Sequence, residues 1–372
     1  MTRPLLFAYL GDPSASSRAL RQLRALAAIG VEATVVGFGA LGDAGALPSG
    51  LDVQMLPLPP GSGPPVFWRA HRALRAYAAR APASLYLASD LYVLPALAGA
   101  AARHGGRLVF DSRELYAALD ASAGRPFVSA TWRAVEGRYI RRADAVLTVS
   151  EGIADRLAAA YGIERPTVIP NVPDGSPPVP SDRLQRALGV PDDGRALVLY
   201  QGLFREGRGL TSLLEAARSV DAVRVVLVGE GPLEGRVRAL AAPLGDRAAV
   251  HPFVPPRELP SWTVGADVGA CLIEPLTDSL RLSLPNKLFE YLNAGVPVLA
   301  SPLPEIRRAV EPFGVGVLAD PDDPPAVARA LRLASDPDAR ARWREAIPDA
   351  RAAFSSTEAT RRFQQLLQTL LP

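Results

Sequence analysis

Short, continuous apolar runs alternate with longer segments of helical period along the whole chain, and no other feature constrains the fold as strongly. A run without polar alternation predicts a strand buried on both faces, as parallel strands joined by helices are. The sequence therefore predicts an α/β protein with parallel sheets covered by helices. In the first half the runs are Leu5–Leu10, Ala33–Phe38, Leu85–Ala88, Arg107–Phe110, Ala145–Val149 and Thr167–Ile169; in the second half they are Ala196–Tyr200, Val223–Val228, Ala248–Phe253, Val268–Ile273, Val296–Ala300 and Val315–Leu318.

A proline-rich segment separates two similar halves. The chain has 372 residues, enough for two domains at about 150 residues each, and four prolines between residues 172 and 180 favour an extended connection. We expect two doubly wound, Rossmann-like domains that face each other across a ligand-binding cleft. The expected bounds are an N-terminal domain over 1–172, a linker over 173–193, a C-terminal domain over 194–354, and a last helix over 355–372 that packs back on the N-terminal domain or stays with the C-terminal one.

Composition excludes several classes of protein. No apolar run reaches the roughly 18 residues of a membrane-spanning helix, and residues 1–4 lead into an apolar run without the features of a signal peptide. A single cysteine, Cys271, excludes a disulfide framework, and with three histidines a structural zinc site is hard to assemble. The net charge of +3 is too small to indicate nucleic-acid binding. We expect a cytoplasmic protein without a metal site or nucleic-acid partner.

The segment from Ser283 to Ser301 carries the clearest chemical signal. Ser283 is a good N-cap, Pro285 suits a first helical turn, and Gly295 suits a helix end before a strand. This pattern predicts that Asn286 and Lys287 lie at a helix N-terminus. Free backbone N–H groups and the helix dipole favour a bound phosphate there, and the Lys287 ammonium adds a compact positive charge.

Glu290 lies three residues after Lys287 and thus on the same helical face. A carboxylate there can accept hydrogen bonds from two adjacent ribose hydroxyls, so the pair matches a nucleoside diphosphate. The alternative is an exposed Lys–Glu pair of little energetic weight. Arginine supplies 40 of the 41 basic residues, and the retention of lysine at this one position favours the functional interpretation.

Several fragments together resemble the retaining glycosyltransferases of family 4, which have the GT-B fold, over nearly the whole chain. Each fragment alone is unspecific, but their order and spacing match the family. The fragments are Phe110–Leu115, Thr148–Glu151 and Ile169–Asn171 in the first half, and Tyr200–Leu210, Val228–Pro232, His251–Val254 and the segment from Ser283 in the second.

The resemblance implies that Arg208 and Lys287 neutralise the diphosphate of a sugar donor and that Glu290 holds its ribose. Arg208 could alternatively be a solvated arginine at a helix start, and Gly229 and Gly231 simple turn residues. The resemblance implies that the remaining donor-binding residues are Gly202, Arg205, Glu230, Phe253, Val254 and Asn286.

Three positions depart from the family pattern. A glutamate that commonly contacts the donor sugar is replaced by Leu282, with Glu274 and Asp278 nearby but out of frame. The arginine that often follows the loop glycine is Leu203, for which Arg205 is a candidate substitute. The histidine that often precedes the glutamate of the first-half motif is Arg113.

The resemblance further implies transfer of a sugar, with retention of configuration, from a UDP-, GDP- or ADP-sugar to a hydroxyl on a glycan, glycolipid or small molecule. Electrostatic stabilisation of the departing diphosphate by two cations predicts independence from metals and other cofactors. Cell-surface polysaccharide or glycolipid synthesis is the expected setting. No covalent nucleophile is evident from the sequence.

Acceptor contacts are expected from polar residues near the ends of strands in the first half. Asp12 and Ser16 are equally interpretable as helix caps, and Asp111 and Glu114 as members of a structural ion-pair network with Arg113. The acceptor-side candidates are Asp12, Ser16, Asp90, Asp111, Arg113 and Glu114.

The segment from Val66 to Arg80 combines Trp68 with four arginines and predicts a basic amphipathic helix. Such a helix binds an anionic surface, here the inner face of a membrane, and gives access to a lipid-linked acceptor. Alternatively, it is an outer helix of the first domain with arginines on its solvated face.

Besides the transferase, this fold leaves a second reading, an epimerase or a phosphorylase, and a third. A sugar-nucleotide epimerase would release sugar without an acceptor, while a phosphorylase would need a lysine for pyridoxal phosphate and the chain has only Lys287. A non-catalytic protein that binds nucleotide sugars is the third reading, because fold alone does not determine function.

Overall fold

The computed structural model describes residues 5–371 except 59, 60, 62, 117–125, 174–177 and 190–192. Residues 1–4 and parts of the predicted linker, 174–177 and 190–192, therefore lie outside the described residues. The chain divides into two compact units. Unit 1 comprises Met1–Asn171 and Thr357–Pro372, and unit 2 comprises Val172–Ser356.

Unit 1 contains a seven-stranded sheet in the order β3-β2-β1-β4-β5-β6-β7, and all its strand pairs are parallel. Its strands are β1 (Leu5–Ala8), β2 (Ala33–Phe38), β3 (Asp52–Leu56), β4 (Leu85–Ala88), β5 (Arg107–Ser112), β6 (Ala145–Thr148) and β7 (Thr167–Val168). Its helices are α1 (Ser17–Ala28), α2 (Pro64–Ala78), α3 (Leu94–His104), α4 (Pro126–Ile140), α5 (Glu151–Tyr161) and the C-terminal α15 (Ser356–Leu370).

Unit 2 contains a six-stranded sheet in the order β10-β9-β8-β11-β12-β13, again with parallel pairs only. Its strands are β8 (Ala196–Gln201), β9 (Val223–Val228), β10 (Ala248–His251), β11 (Val268–Cys271), β12 (Val298–Ala300) and β13 (Gly316–Leu318). Its helices are α6 (Arg183–Leu188), α7 (Leu210–Ala217), α8 (Glu234–Ala241), α9 (Leu259–Thr263), α10 (Asp278–Arg281), α11 (Asn286–Asn293), α12 (Pro304–Val310), α13 (Pro324–Ser335) and α14 (Pro337–Ala353).

Helices and parallel strands alternate in both units, which confirms the predicted α/β class. The strands of the central positions are buried throughout, as their unbroken apolar runs predict; every residue of β1, β4, β8 and β9 is buried. The sequence missed β3, whose Asp52 and Gln54 interrupt its apolar residues. This strand pairs only with β2 at the sheet edge and is partly exposed, so it needs no continuous apolar run.

The C-terminal helix α15 packs within unit 1. Ala359, Phe363 and Leu367 are buried in the same hydrophobic cluster as Leu5 of β1. Gln364 donates a hydrogen bond from Nε2 to the carbonyl oxygen of Ala25 at 2.9 Å. The chain thus returns to unit 1 after completing unit 2.

Residues 183–188, inside the predicted linker, form α6. Leu184 is fully buried in a core cluster of unit 2 together with Trp262, and Gln185 donates to the carbonyl oxygen of Gly265 at 2.7 Å. This part of the linker therefore belongs to the packed body of unit 2. In the part of the chain that the structure describes, no helix has both the length and the apolarity needed to cross a membrane.

Candidate functional site

The candidate site of unit 2 lies where β8 and β11 end and α11 begins. Tyr291 of α11 connects these elements: its hydroxyl donates to the carbonyl oxygen of Leu199 at 2.9 Å and accepts from the backbone N–H of Gln201 at 3.1 Å. Its ring also packs on Gly269 of β11, where an added Cβ would come within 2.2 Å of the ring. The start of α11 is thereby fixed against the carboxyl ends of both strands, where ligands of such sheets bind.

Helix α11 begins at Asn286, with Pro285 in extended conformation as its N-cap. Asn286 and Lys287 are thus its first two residues, which confirms their predicted place at a helix N-terminus. The prediction that Ser283 caps this helix is wrong. Its hydroxyl instead donates to the carbonyl oxygen of Leu280 at 2.8 Å, at the end of the preceding helix.

The Lys287 ammonium lies over the ring of Tyr200, 3.7 Å from its centre. Lys287 is half-buried and forms no ion pair with any described residue. The alternative of an exposed Lys287–Glu290 pair is therefore excluded. Burial lowers the pKa of Lys287 to about 8, and the positive charge of Arg208 acts in the same direction. Because its surroundings disfavour the charged form of Lys287, binding of an anion nearby would stabilise the ammonium.

Arg208 is half-buried in the loop between β8 and α7, between two glycines with positive φ. A Cβ at Gly209 would lie 2.5 Å from the Cβ of Leu272, so the loop lies directly against the end of β11. The charge of Arg208 lowers the pKa of Lys287, which shows that these cations share one electrostatic environment. Arg205 is exposed and acts on Lys287 in the same direction.

Glu290 is positioned by Gln201, the last residue of β8. Gln201 donates from Nε2 to Oε2 of Glu290 at 2.6 Å, while its own Oε1 accepts from the Thr263 hydroxyl at 2.8 Å. Gln201 is 2% exposed, so this arrangement is well protected from water. Sequence reasoning missed both residues. For Gln201 the available signal was a polar side chain at the end of an apolar strand and directly before the loop glycine.

The loop after β8 and the loop after β9 approach each other closely. Gly202 donates to the carbonyl oxygen of Val228 at 3.0 Å, and Phe204 donates to that of Glu230 at 2.7 Å. A Cβ at Gly229 would lie 1.9 Å from the carbonyl oxygen of Gly202, and φ there is +156°. Gly229 is therefore required by this approach and is more than a turn residue.

The same two loops also approach each other at Gly231, where an added Cβ would lie 2.5 Å from the carbonyl oxygen of Phe204. Gly202 has a φ of +128° and an added Cβ would lie 3.5 Å from Nζ of Lys287. The absence of a side chain at Gly202 thus keeps the ammonium accessible. The side chain of Glu230 is exposed.

The two candidate base contacts differ in exposure. Phe253 is 49% exposed, whereas Val254 is 5% exposed and belongs to a core cluster of unit 2. The neighbouring ring of His251 lies 4.5 Å from that of Trp262. The structure thus makes Phe253 available to a ligand and uses Val254 for packing.

Glu274 holds the loop that carries Arg208. Its carboxylate accepts from the backbone N–H of Gly207 at 3.1 Å, and its own N–H donates to the Gly207 carbonyl oxygen at 3.2 Å. Burial raises the pKa of Glu274. Leu282 is half-buried at the end of α10, and Asp278 is the first residue of that helix.

In unit 1, Asp12 and Ser16 act as caps. Asp12 accepts from the backbone N–H groups of Ser14 and Gly42 at 2.8 and 2.9 Å. Although burial opposes the effect, hydrogen bonds from Ser14 and Gly42 keep the pKa of Asp12 below its usual value. Ser16 accepts from Ala19 at 3.3 Å at the start of α1. The capping alternative describes both residues.

Asp111 forms an ion pair, but its partner is Arg18 rather than Arg113. Two guanidinium nitrogens of Arg18 donate to the carboxylate at 2.6 and 2.7 Å, and Gln22 adds a third hydrogen bond at 2.8 Å. Both members of the pair are buried. Asp111 therefore belongs to a structural ion pair, as one of the two alternatives held, but with Arg18 in place of Arg113. Arg113 is half-buried, with its guanidinium 4.9 Å from the centre of the Tyr9 ring.

Asp90 is 1% exposed and accepts from the backbone N–H groups of Leu10 and Val93 at 2.8 and 3.0 Å. Burial raises its pKa, although Arg113 and the backbone hydrogen bonds oppose this. Asp90 and Arg113 thus lie close enough to interact, while Glu114 is exposed. Within the described ranges, no group of three or more His, Cys, Asp or Glu residues is arranged to hold a metal ion.

Two family models match the chain. Residues 15–172 match the glycosyl transferase 4-like domain, and residues 195–336 match the glycosyl transferases group 1. The D-inositol 3-phosphate glycosyltransferase of Corynebacterium urealyticum is 30% identical over 205 residues, or 51% of this chain and 46% of that protein. The match thus spans about half the length of this relative.

Solved structures are similar over nearly the full length. Sucrose-phosphate synthase from Thermosynechococcus elongatus has a TM-score of 0.80 and 20% identity, over 99% of both chains. Anabaena HepE in complex with UDP-glucose has a TM-score of 0.76 and 18% identity, over 99% of this chain and 100% of that one. At these identities the likeness concerns the fold, which is GT-B as the sequence predicts.

Proposed function

We propose that this chain, which belongs to the family 4 glycosyltransferases, transfers a sugar from a nucleoside diphosphate sugar to a hydroxyl acceptor with retention of configuration. The observation that carries the proposal is the start of α11. There the Lys287 ammonium is half-buried and has no anionic partner among the described residues. One helical turn later, the carboxylate of Glu290 accepts a hydrogen bond from the carboxamide of Gln201. A diphosphate attached to a ribose satisfies both groups.

Departure of the diphosphate is the step these residues assist. Negative charge grows on the leaving oxygen as the glycosidic bond breaks, and Lys287 and Arg208 are already positioned to stabilise it. With a pKa of about 8, Lys287 is largely protonated at pH 7. Two fixed cations supply the stabilisation for which other enzymes use a divalent ion, so we propose a metal-independent reaction without other cofactors.

The sequence offers no evident covalent nucleophile, so retention requires the acceptor hydroxyl to attack from the face that the diphosphate leaves. We propose that the acceptor is bound by unit 1, near Asp90 and Arg113. Asp12, Ser16 and Asp111 are engaged in caps and an ion pair, so we assign them to shaping this region rather than to touching the acceptor.

We propose a UDP-, GDP- or ADP-sugar as the donor, and the solved complex of HepE with UDP-glucose favours uridine. The Thermosynechococcus and Corynebacterium relatives are named for sucrose phosphate and inositol phosphate chemistry. We propose an acceptor from the class of glycans, glycolipids and small hydroxyl compounds, in cell-surface polysaccharide or glycolipid synthesis.

Contact with the cytoplasmic face of a membrane is a separate part of the proposal. Trp68 of α2 is 58% exposed, and the guanidinium of Arg72 lies 4.8 Å from its ring centre. An exposed tryptophan beside arginines suits the headgroup region of an anionic bilayer. Flotation with anionic vesicles tests this: Trp68→Ala should reduce binding, and a protein that does not float at all would remove the membrane contact.

The test of the reaction begins with a thermal-shift screen of UDP-, GDP- and ADP-sugars, because a ligand that binds only the native state raises the melting temperature. The best donor is then incubated with candidate acceptors. Lys287→Ala and Glu290→Ala should each lower turnover by roughly 100-fold or more, as loss of transition-state donors does elsewhere. Glu345→Ala, at an exposed position of α14, is the control.

Near-normal turnover in both site variants, with the control unaffected, would contradict the proposal. Release of epimerised sugar without any glycosylated product would favour the epimerase. Binding of the donor without transfer to any acceptor would favour a non-catalytic protein that binds nucleotide sugars.

A further inference from the structure

A groove on the surface of unit 1 borders α2 and lies outside the candidate donor and acceptor regions. It has a volume of about 390 Å³ and runs between α2, α3 and the end of α4. Its floor is the outer face of α3, where Ala96, Gly99 and Ala100 present little side chain. A Cβ added at Gly99 would meet no atom within 4 Å, so the groove is open above that residue.

Three arginines from three places in the chain line this groove: Arg75 of α2, Arg103 of α3 and Arg142 after α4. None of the lining residues that the structure describes is acidic. Over the described residues, none of the three guanidinium groups forms an ion pair or a side-chain hydrogen bond. By contrast, the adjacent Arg141 donates to the carbonyl oxygens of Tyr161 and Gly137 at 2.9 and 2.7 Å.

The positive charge of the groove acts on a residue inside it. His71 of α2 lines the same groove, and burial together with the charge of Arg75 lowers the pKa of its imidazole. On the opposite wall, the Arg142 guanidinium lies 5.2 Å from the ring centre of Tyr139. The groove thus combines guanidinium forks, an imidazole and a phenol hydroxyl, all of which can donate hydrogen bonds.

Helix dipoles account for only part of this arrangement. Arg75 and Arg103 lie in the last turns of α2 and α3, where a cation is favourable. Three guanidinium groups nevertheless line one cavity, and none of the described residues that line it carries a carboxylate. An anion with several acceptor oxygens complements this positive charge, and the planar guanidinium matches phosphate geometry.

We propose that this groove binds a phosphate group, carried either by a small phosphorylated molecule or by the headgroup of a lipid. The site is distinct from the diphosphate site of unit 2 and does not depend on it. The three guanidinium groups are exposed, so binding weakens as ionic strength rises.

The test uses the full-length protein and two probes. Calorimetry with inorganic phosphate measures the free ligand, and co-sedimentation with phosphatidylglycerol vesicles against phosphatidylcholine vesicles measures the lipid headgroup. Arg103→Gln removes one donor. Gly99→Leu fills the groove while leaving every charge in place, at a helical position with open space. Arg133→Gln, an exposed arginine of α4 outside the groove and outside α2, is the matched control.

Both groove variants should weaken binding of at least one probe by on the order of tenfold, the effect of losing a charge-assisted hydrogen bond, while Arg133→Gln should not. If the groove variants bind inorganic phosphate more weakly, the ligand is a free phosphorylated molecule. If they lose binding to the vesicles alone, the ligand is the lipid headgroup. The ring resonance of His71, one of three histidines, should shift on addition of the effective probe and should not shift in Gly99→Leu.

Equal binding of both probes by wild type and Gly99→Leu would overturn the proposal. So would an equal loss in Arg133→Gln and Arg103→Gln, because this indicates diffuse attraction to positive charge. Lys287→Ala separates the two sites: phosphate binding that disappears only in that variant belongs to unit 2 and also counts against the groove.

Discussion

Protonation of Lys287 should determine how nucleotide binding changes with pH. Its ammonium has a pKa of about 8 in the free protein, so about ten molecules are protonated for each neutral one at pH 7, and the ratio is reversed at pH 9. If a diphosphate binds the protonated form, its apparent dissociation constant rises about tenfold between pH 7 and pH 9. This corresponds to about 1.4 kcal/mol. The sign follows from burial, which lowers the pKa of a lysine into this range.

Titration calorimetry with the nucleoside diphosphate of the preferred donor, at half-unit pH steps, measures this change. Lys287→Arg is the matched control, because a guanidinium keeps its charge over the whole range. Any titration of the ligand or of other residues affects both proteins equally. Wild type should therefore lose about tenfold in affinity relative to Lys287→Arg between pH 7 and pH 9. Parallel pH profiles for the two proteins would refute the assignment of Lys287 to the diphosphate.

Three further predictions concern residues around the two sheets. Gln201→Leu removes the 2.6 Å hydrogen bond to Glu290 and should weaken nucleoside diphosphate binding about tenfold; calorimetry should show pyrophosphate binding unchanged, since pyrophosphate lacks the ribose. Gly229→Ala places a Cβ 1.9 Å from a carbonyl oxygen and should cost about 2 kcal/mol or more in urea unfolding, whereas Gly235→Ala, with no atom within 4 Å, should be neutral or stabilising. Burial raises the pKa of Glu136 from 4.5 to about 7, so its stabilising contribution is present below pH 4.5 and is lost as pH rises through 7. Relative to Glu136→Gln, wild type should lose about 2 to 3 kcal/mol between pH 5 and pH 8; a constant difference in unfolding free energy would contradict the assignment.

The central strands could be predicted from the sequence because a strand that is buried on both faces consists almost entirely of apolar residues. Leu5–Ala8 and Val223–Val228 are apolar throughout or nearly so and lie inside their sheets. A strand at the sheet edge is partly exposed and can include polar residues, and Asp52–Leu56 was missed for that reason. The start of α11 was predicted only in part, because capping depends on backbone conformation. The sequence predicted Ser283 as the N-cap because of its hydroxyl, whereas the N-cap in the structure is Pro285, in extended conformation.

Pairings between distant segments could not be predicted from local pattern. Arg18 and Asp111 are 93 residues apart in the sequence, yet two hydrogen bonds join them. Gln201 and Glu290 are 89 residues apart. Their partnership depends on the register of β8 against β11 and on the docking of α11, which spacing along the chain does not encode. A single lysine among arginines was informative because its chemistry differs from that of its neighbours.

A crystal structure of the protein with the nucleoside diphosphate of its donor tests the central claim most directly. The account predicts the diphosphate at the N-terminus of α11, within hydrogen-bond distance of Lys287 and Arg208, and the ribose hydroxyls on the carboxylate of Glu290. A nucleotide bound elsewhere in unit 2, or bound at this helix with those three side chains directed away from it, would contradict the account.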